Sequence, residues 1–231
     1  MENSRVHAIA DAAARLFIQQ GYSKTQISHI AKAVGVSVGT IYHDFTSKQA
    51  IMQFVLASTI DFHHQELPRP ITEEPFHGLM DEISTTLENN AADFSKHLLD
   101  QADGYSFSDL ISDTFDFLSK YAVGCLFIEK NQFDFPRLAS SYRVYRQKFL
   151  NHMTAYLALY IQKGVVRPLD HIDLSTTLII ELLTWWAMDV RYLSFDNRLN
   201  EISPELAKEI CMDNIIAAYA LPVKREVEHD H

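Results

Sequence analysis

One stretch, residues 25–48, constrains the fold of this 231-residue chain more than any other. Its first part has the i, i+3, i+4 and i+7 apolar spacing that predicts one amphipathic helix, at Ile27, Ile30, Ala31 and Val34. Thr25 precedes that helix as a candidate cap, and Gly35 can adopt the left-handed conformation that ends it. Ser37 then caps a second helix, so the spacing predicts a helix-turn-helix.

The second helix is predicted to bury Ile41 and Phe45 and to turn its opposite face outward. The outward side chains are small, hydroxylic or imidazole, with no carboxylate among them: Gly39, Thr40, Tyr42 and His43. Such a face can enter a DNA major groove and donate hydrogen bonds to base edges or phosphates. Taken alone, it could equally be an ordinary solvated helix surface. Thr46 and Gln49 predict a capping box for a third helix, with Lys48 in its first turn.

These residues together resemble the N-terminal DNA-binding domain of TetR-family bacterial transcriptional regulators. The matching positions are Ala13, Phe17, Gly21, Tyr22, Thr25, Ile30, Ala31, Gly35, Val36, Ser37, Gly39, Thr40, Ile41, Tyr42, Phe45, Ser47 and Lys48. The resemblance implies phosphate contacts by Thr25, Tyr42, His43 and Lys48. It also implies positions at or near base edges for Ser37, Val38, Gly39 and Thr40. For the rest of the chain it implies an all-helical dimerisation and ligand-binding body, without naming a ligand.

The charge distribution allows DNA binding by the N-terminal part. The chain has a formal net charge of −10, but residues 1–50 hold five Lys/Arg against three Asp/Glu. The acidity therefore belongs to the body, while the head is weakly basic. Weak basicity predicts few phosphate contacts per head, so two heads would be needed for tight binding. It also motivates an alternative, a helical ligand-binding or protein-interaction module without DNA-binding activity.

The remaining sequence predicts an all-α class, because no useful length alternates with period two. Predicted helices cover 4–20, 47–64, 75–103, 137–163, 173–195 and 203–220, with Asp173 and Ser203 as caps of the last two. The predicted domains are a helix-turn-helix head at 1–47, a helical ligand-binding and dimerisation body at 48–221, and a disordered tail at 222–231. The last two long helices are apolar on more than one face, which predicts a four-helix seam with a second copy. Its predicted residues are Ile180, Leu183, Met212, Ile215, Ile216 and Tyr219.

Aromatic residues are dense in the body and could line a pocket for a flat or apolar ligand. The predicted lining is Phe117, Tyr121, Tyr142, Tyr145, Phe149, Trp185 and Trp186. Plain core is the alternative for any one of them. Arg143, Arg146 and Arg191 could pair with an acidic ligand, or could be solvated or salt-bridged.

Other classes of function find little support. Adjacent histidines at 63 and 64 point about 100° apart on a helix and cannot chelate one metal together. We see no catalytic triad pattern and no phosphate loop, so we expect neither an enzyme nor a cofactor. Two cysteines, Cys125 and Cys211, suit a reducing cytosol, and we find neither a signal peptide nor a long apolar run. We therefore expect a cytoplasmic, homodimeric regulator, a repressor that a small, largely apolar or aromatic effector releases from a palindromic operator.

Overall fold

A computed structural model describes residues 2–60 and 68–222. The head contains α1 (Glu2–Gln19), α2 (Ile27–Val34), α3 (Val38–Asp44) and α4 (Lys48–Thr59). The body contains α5 (Leu79–Ser95), α6 (Phe107–Lys130), α7 (Pro136–Gln162), α8 (Ile172–Thr184), α9 (Val190–Leu193), α10 (Asn197–Asn200) and α11 (Pro204–Tyr219). The all-α class, with a helix-turn-helix head and a larger helical body, is thereby confirmed. The predicted tail after Pro222, the histidine pair at 63–64 and the predicted end of the third head helix lie outside the described residues.

The turn between α2 and α3 forms as the sequence predicts. Gly35 has φ +79°, and its N–H donates to the carbonyls of Ala31 and Lys32. A side chain at this φ would be strained, so glycine is the residue that this turn requires. Ser37 caps α3 by accepting a hydrogen bond from the Thr40 N–H at 3.1 Å.

Two head caps differ from the prediction. Gln26, not Thr25, is the N-cap of α2, since Thr25 is buried and its hydroxyl donates to the Gly21 carbonyl at 2.8 Å. Ser47, not Thr46, caps α4 and accepts from the Ala50 N–H at 3.0 Å. The Thr25 hydroxyl bonds a carbonyl four residues earlier in the preceding turn, and the Thr46 hydroxyl bonds the Ile71 carbonyl, which tertiary packing brings near it.

The body helices also differ in their limits. The predicted helix 75–103 is shorter, because Gly78 precedes α5 with φ +82° and 3-10 turns flank α5 at Glu74–Phe76 and Lys96–Leu98. The predicted helix 173–195 contains a wide π turn at Trp185–Asp189 between α8 and α9. Its N-cap is His171, and Asp173 lies in the first turn, where the positive end of the helix dipole stabilises a carboxylate.

Residues after α4 return to the head, which the sequence did not indicate. Ile71 is buried, donates its N–H to the Asp44 carbonyl at 2.8 Å, and accepts from the Thr46 N–H at 3.0 Å. The Ser47 hydroxyl donates to the Glu73 carboxylate at 2.6 Å. The domain boundary predicted between residues 47 and 48 stays a proposal. It assigns Ile71 and Glu73, which contact the head, to the body.

Head and body pack directly against each other through α6. Asn131, which ends α6 and is 2% exposed, accepts from the Tyr22 N–H at 2.6 Å and donates to the carbonyls of Phe17 and Phe127. Further up α6, a Cβ added to Gly124 would lie 2.9 Å from the Thr59 hydroxyl of α4. The absence of a side chain at 124 thus allows α4 and α6 to approach closely.

Candidate nucleic-acid interface and body cavity

The outer face of α3 is accessible. Ile41 and Phe45 are fully buried, whereas Tyr42 is 50% exposed and Val38 is 40% exposed. Exposed or half-exposed positions also include Ser37, Gly39, Thr40 and His43. Six of the eight residues predicted to contact DNA therefore share one accessible surface, which we call the α3 face.

Asp44 is the acidic residue of α3, and it is withdrawn from that face. Its carboxylate is fully buried and accepts two hydrogen bonds from Arg5, at 2.6 and 2.8 Å, and one from Arg69 at 3.4 Å. The Arg5 hydrogen bonds hold the pKa of Asp44 below its usual value against the opposing effect of burial, with a further contribution from His43. The α3 face consequently presents no carboxylate to a polyanion, although Arg5 is engaged and adds little free positive charge.

Thr25 and Lys48 lie in a different environment from the other six. Thr25 is 1% exposed. The Lys48 ammonium donates to the carbonyls of Tyr22 and Thr25, at 2.8 and 2.9 Å, and lies 4.2 Å from the centroid of the Tyr22 ring. Burial lowers the pKa of Lys48. Both residues therefore hold the loop before α2 in place. Two of the three ammonium hydrogens of Lys48 are used in these contacts, and the third is available to a further acceptor.

A cavity of about 260 Å³ lies between α6, α7 and α8. Five of the seven residues predicted to line a pocket do so, namely Phe117, Tyr121, Tyr142, Tyr145 and Phe149. Trp185 and Trp186 do not line this cavity, so a ligand contact by either stays a prediction. Both belong to the π turn, which breaks the helical spacing, and Trp185 is 40% exposed. The sequence analysis missed Thr177 and Thr184, two of the polar residues that line the cavity from α8.

Charged groups beside the cavity are already paired with one another. Glu129 accepts from the Tyr142 hydroxyl at 2.8 Å and from Arg146 at 2.9 Å, and Arg146 also reaches Glu181 at 3.4 Å. Burial and the neighbouring Cys125 and Glu129 raise the pKa of Tyr142, so this hydroxyl stays a hydrogen-bond donor. The network fixes α6, α7 and α8 relative to one another around the cavity.

Most of the residues predicted to form the dimer interface are buried within their own protomer. Ile180, Leu183, Ile215 and Tyr219 are at most 6% exposed, and Met212 and Ile216 are half-buried. The same helices expose other large apolar side chains, namely Leu174, Leu178 and Leu182 on α8 and Leu206 and Ile210 on α11. The predicted interface residues stay a prediction, and the exposed apolar residues of the same helices are added to them, because an apolar pattern cannot separate the face covered by α6 from the face left open.

The thiols and the acidic groups offer little else for chemistry. Burial raises the pKa of Cys125 to about 12 and of Cys211 to about 11, so neither is a reactive thiolate. Among residues 2–60 and 68–222, we find no cluster of three His, Cys, Asp or Glu side chains suited to a metal. In the same ranges, each helix is too short or too polar to span a bilayer.

Asp189, in the π turn, provides a pH-dependent prediction. Burial and the carboxylates of Glu129 and Glu181 raise its pKa from 3.8 to about 6. Protonation therefore stabilises the fold, and this stability is lost as the pH rises from 3.8 through about 6. After allowance for solvent screening at a half-buried site, Asp189→Asn should raise the unfolding free energy by about 1 kcal/mol at neutral pH. Urea denaturation should show no gain at the acidic end of this window, and Asp213→Asn, at an exposed position in the middle of α11, serves as the control. An equal gain at both pH values would contradict the assignment.

The head is similar in sequence to the N-terminal domains of known bacterial regulatory proteins. Residues 9–54 match the model of bacterial regulatory proteins, tetR family. The HTH-type transcriptional regulator HbdR of Aromatoleum sp. (strain CIB) is 43% identical over 67 residues, 29% of each chain. The HTH-type transcriptional regulator AcrR of Shigella flexneri is 51% identical over 47 residues, 20% of this chain and 21% of that one. The matches thus span less than a third of these curated relatives.

The similarity of the whole chain is one of fold. The structure of the ketosteroid transcriptional regulator KstR2 of Mycobacterium tuberculosis aligns with a TM-score of 0.50 over 95% of this chain and 97% of that chain. Sequence identity across that alignment is 16%. The helical body therefore has the same overall architecture, without evidence that it binds the same molecules.

Proposed function

We propose that this chain, whose head belongs to the tetR family of bacterial regulatory proteins, is a DNA-binding transcriptional regulator that acts as a homodimeric repressor. The head would bind operator DNA, and the body would dimerise and bind a small, largely apolar or aromatic effector. The α3 face is the observation that carries this proposal. It is exposed, has no free carboxylate, and combines hydroxyl and imidazole donors with a glycine at its centre.

The α3 face suits a major groove. Gly39 has no side chain, and the one atom near its Cβ position is the Ser37 hydroxyl at 3.6 Å, so the backbone can come close to base edges. Ser37, Val38 and Thr40 would lie beside those edges, while Tyr42 and His43 would contact phosphates. Thr25 and Lys48 would act mainly by ordering the adjacent loop, with the remaining ammonium hydrogen of Lys48 available to a phosphate.

Two heads are needed because one is weakly basic. The exposed leucines of α8 and the exposed apolar residues of α11 support a second copy packing there, since such a stripe is otherwise unfavourable in water. A two-fold dimer would present two α3 faces to a palindromic operator, with half-sites about 34–36 Å apart or at a related spacing.

A route for effector control runs along α6. This helix lines the cavity with Phe117 and Tyr121, packs against α4 at Gly124, and ends at Asn131 in contact with the head. An effector that favours one position of α6 would therefore also favour one position of the head. Release of DNA would follow from the difference in effector affinity between the two positions.

Tyr42→Ala is the direct test of the α3 face. Selection from a random-sequence duplex library should yield a palindromic site, and fluorescence anisotropy should show an affinity that falls steeply with salt. We expect Tyr42→Ala to weaken binding about tenfold, and similarly for specific and non-specific duplexes, because a phosphate contact carries no sequence information. Leu99→Ala, at an exposed residue of the body, should bind as the unaltered protein does.

An unchanged affinity in Tyr42→Ala would place the DNA elsewhere on the head. Undetectable DNA binding by the unaltered protein at low salt would favour the alternative module that binds only ligand or protein.

A further inference from the structure

The cavity contains a buried hydroxyl that the fold leaves unsatisfied. Thr184 is 5% exposed, lines the cavity, and its Oγ1 has no hydrogen-bond partner among the described atoms. Other threonines of α8 bond their own helix, since Thr176 donates to the Ile172 carbonyl and Thr177 to the Asp173 carbonyl. A buried polar group without a partner is unfavourable. The hydroxyl itself has almost no accessible surface, but a rotation about χ1 of Thr184 would present it to a polar atom inside the cavity.

The cavity also has one arginine that is not neutralised. Arg146 is held by Glu129 and Glu181, so its guanidinium is already neutralised and the two carboxylates keep a net charge of about −1. Arg143 lines the cavity one helical turn earlier, is exposed, and has no ion-pair or hydrogen-bond partner within the described residues. A guanidinium favours a planar carboxylate, which it can bind through two parallel hydrogen bonds.

The remaining wall selects for size and shape. Phe117 and Phe149 are nearly parallel, with ring planes 17° apart, and Tyr145 lies within 6.5 Å of both ring centroids. Tyr145 is tilted by 36° and 30° to the other two, so the three rings form an aromatic wall of the cavity. The volume of about 260 Å³ lies just below the range of about 300–1,000 Å³ common for ligand pockets. A compact ring system fits this space better than a long acyl chain does.

We propose that the cavity binds a compact aromatic carboxylate that carries a hydroxyl substituent. The ring packs against the aromatic wall of Phe117, Tyr145 and Phe149, the carboxylate pairs with Arg143, and the hydroxyl bonds the rotated Thr184 hydroxyl. This inference rests on the proposed function only for the role of the ligand as effector, because binding itself requires no DNA.

Isothermal titration of the full-length protein with five probes tests the chemistry. The probes are the three isomers of hydroxybenzoate, benzoate, which lacks the hydroxyl, and 4-hydroxybenzamide, which lacks the charge. We expect at least one hydroxybenzoate to bind about tenfold more tightly than benzoate, and the 4-hydroxy acid to bind about tenfold more tightly than its amide. Equal affinity of acid and amide, or no hydroxybenzoate above benzoate, would overturn the proposal.

Paired variants locate each contact. Arg143→Gln should abolish the preference for acid over amide, whereas Arg137→Gln, on the same helix and with a 92% exposed side chain, should keep it. Thr184→Val should remove the advantage of the hydroxybenzoate over benzoate and leave benzoate binding unchanged. Thr176→Val, a buried threonine of the same helix outside the cavity lining, is the control for general loss of packing. If Arg143→Gln behaves like Arg137→Gln, or Thr184→Val like Thr176→Val, the contact assigned to that residue is wrong.

The two proposals fail separately. A protein that binds operator DNA but none of the five probes would refute the ligand class and leave the regulator in place. A protein that binds hydroxybenzoate through Arg143 and Thr184 but binds no DNA would refute the proposed regulator and keep the ligand class.

Discussion

Asp44→Ala should destabilise the head by about 3 kcal/mol and abolish DNA binding. The carboxylate is fully buried and joins the N-terminal helix, through Arg5, and the returning segment, through Arg69, to the end of α3. Its removal leaves two guanidinium groups without their carboxylate in a partly buried site, which is more unfavourable than never having formed the pair. Urea denaturation monitored by circular dichroism measures the loss.

Asp81→Ala is the matched control, because it breaks an ion pair with Arg137 in which both side chains are largely exposed. That change should alter stability by less than about 1 kcal/mol. The pKa of Asp44 is lowered in the fold, so its stabilising effect is present above the ordinary aspartate value and is lost as the pH falls through the folded value. An Asp44→Ala protein as stable as Asp81→Ala would show that the Arg5 pair contributes little.

Asn131→Ala should lower the unfolding free energy by about 2–3 kcal/mol and weaken the communication between cavity and head. The change leaves the Tyr22 N–H and the Phe17 carbonyl without their buried partner, while the Phe127 carbonyl keeps the backbone N–H of residue 131. We expect a hydroxybenzoate that binds the body still to bind, but to shift the DNA affinity of the variant several-fold less than that of the unaltered protein. Anisotropy titrations with and without the ligand measure this coupling.

Asn151→Ala controls for the loss of an amide on an exposed surface, where Gln147 is its hydrogen-bond partner. It should change neither stability nor coupling appreciably. If Asn131→Ala loses stability and keeps full coupling, α6 communicates with the head through its contact with α4 instead.

The head was predictable because its signals are local. The spacing around Ile30 and Ile41, the turn glycine at 35 and the cap at Ser37 all act within a few residues, and the structure contains each of them. What escaped prediction is non-local. The Arg5–Asp44 pair joins residues 39 positions apart, and the Thr46 hydroxyl, predicted as a cap, bonds the Ile71 carbonyl 25 positions away.

The body was predictable in class and less so in detail. The aromatic residues of α6 and α7 line the cavity because regular helical spacing places them on one face. The two tryptophans lie away from this cavity because a π turn changes the helical phase at Trp185, which no propensity in the sequence signals. The dimer residues stay a prediction, because burial by the same chain and burial by a second copy require the same apolar side chains.

Gly124 has a consequence for how this chain can change during evolution. A methyl group at 124 would lie 2.9 Å from the Thr59 hydroxyl, so an alanine there requires the Thr59 side chain to move or to be smaller. Substitutions at these two positions should therefore be coupled among close homologues. Where both residues are bulkier, α4 and α6 must stand further apart, and the spacing between the two α3 faces of the proposed dimer would change with them.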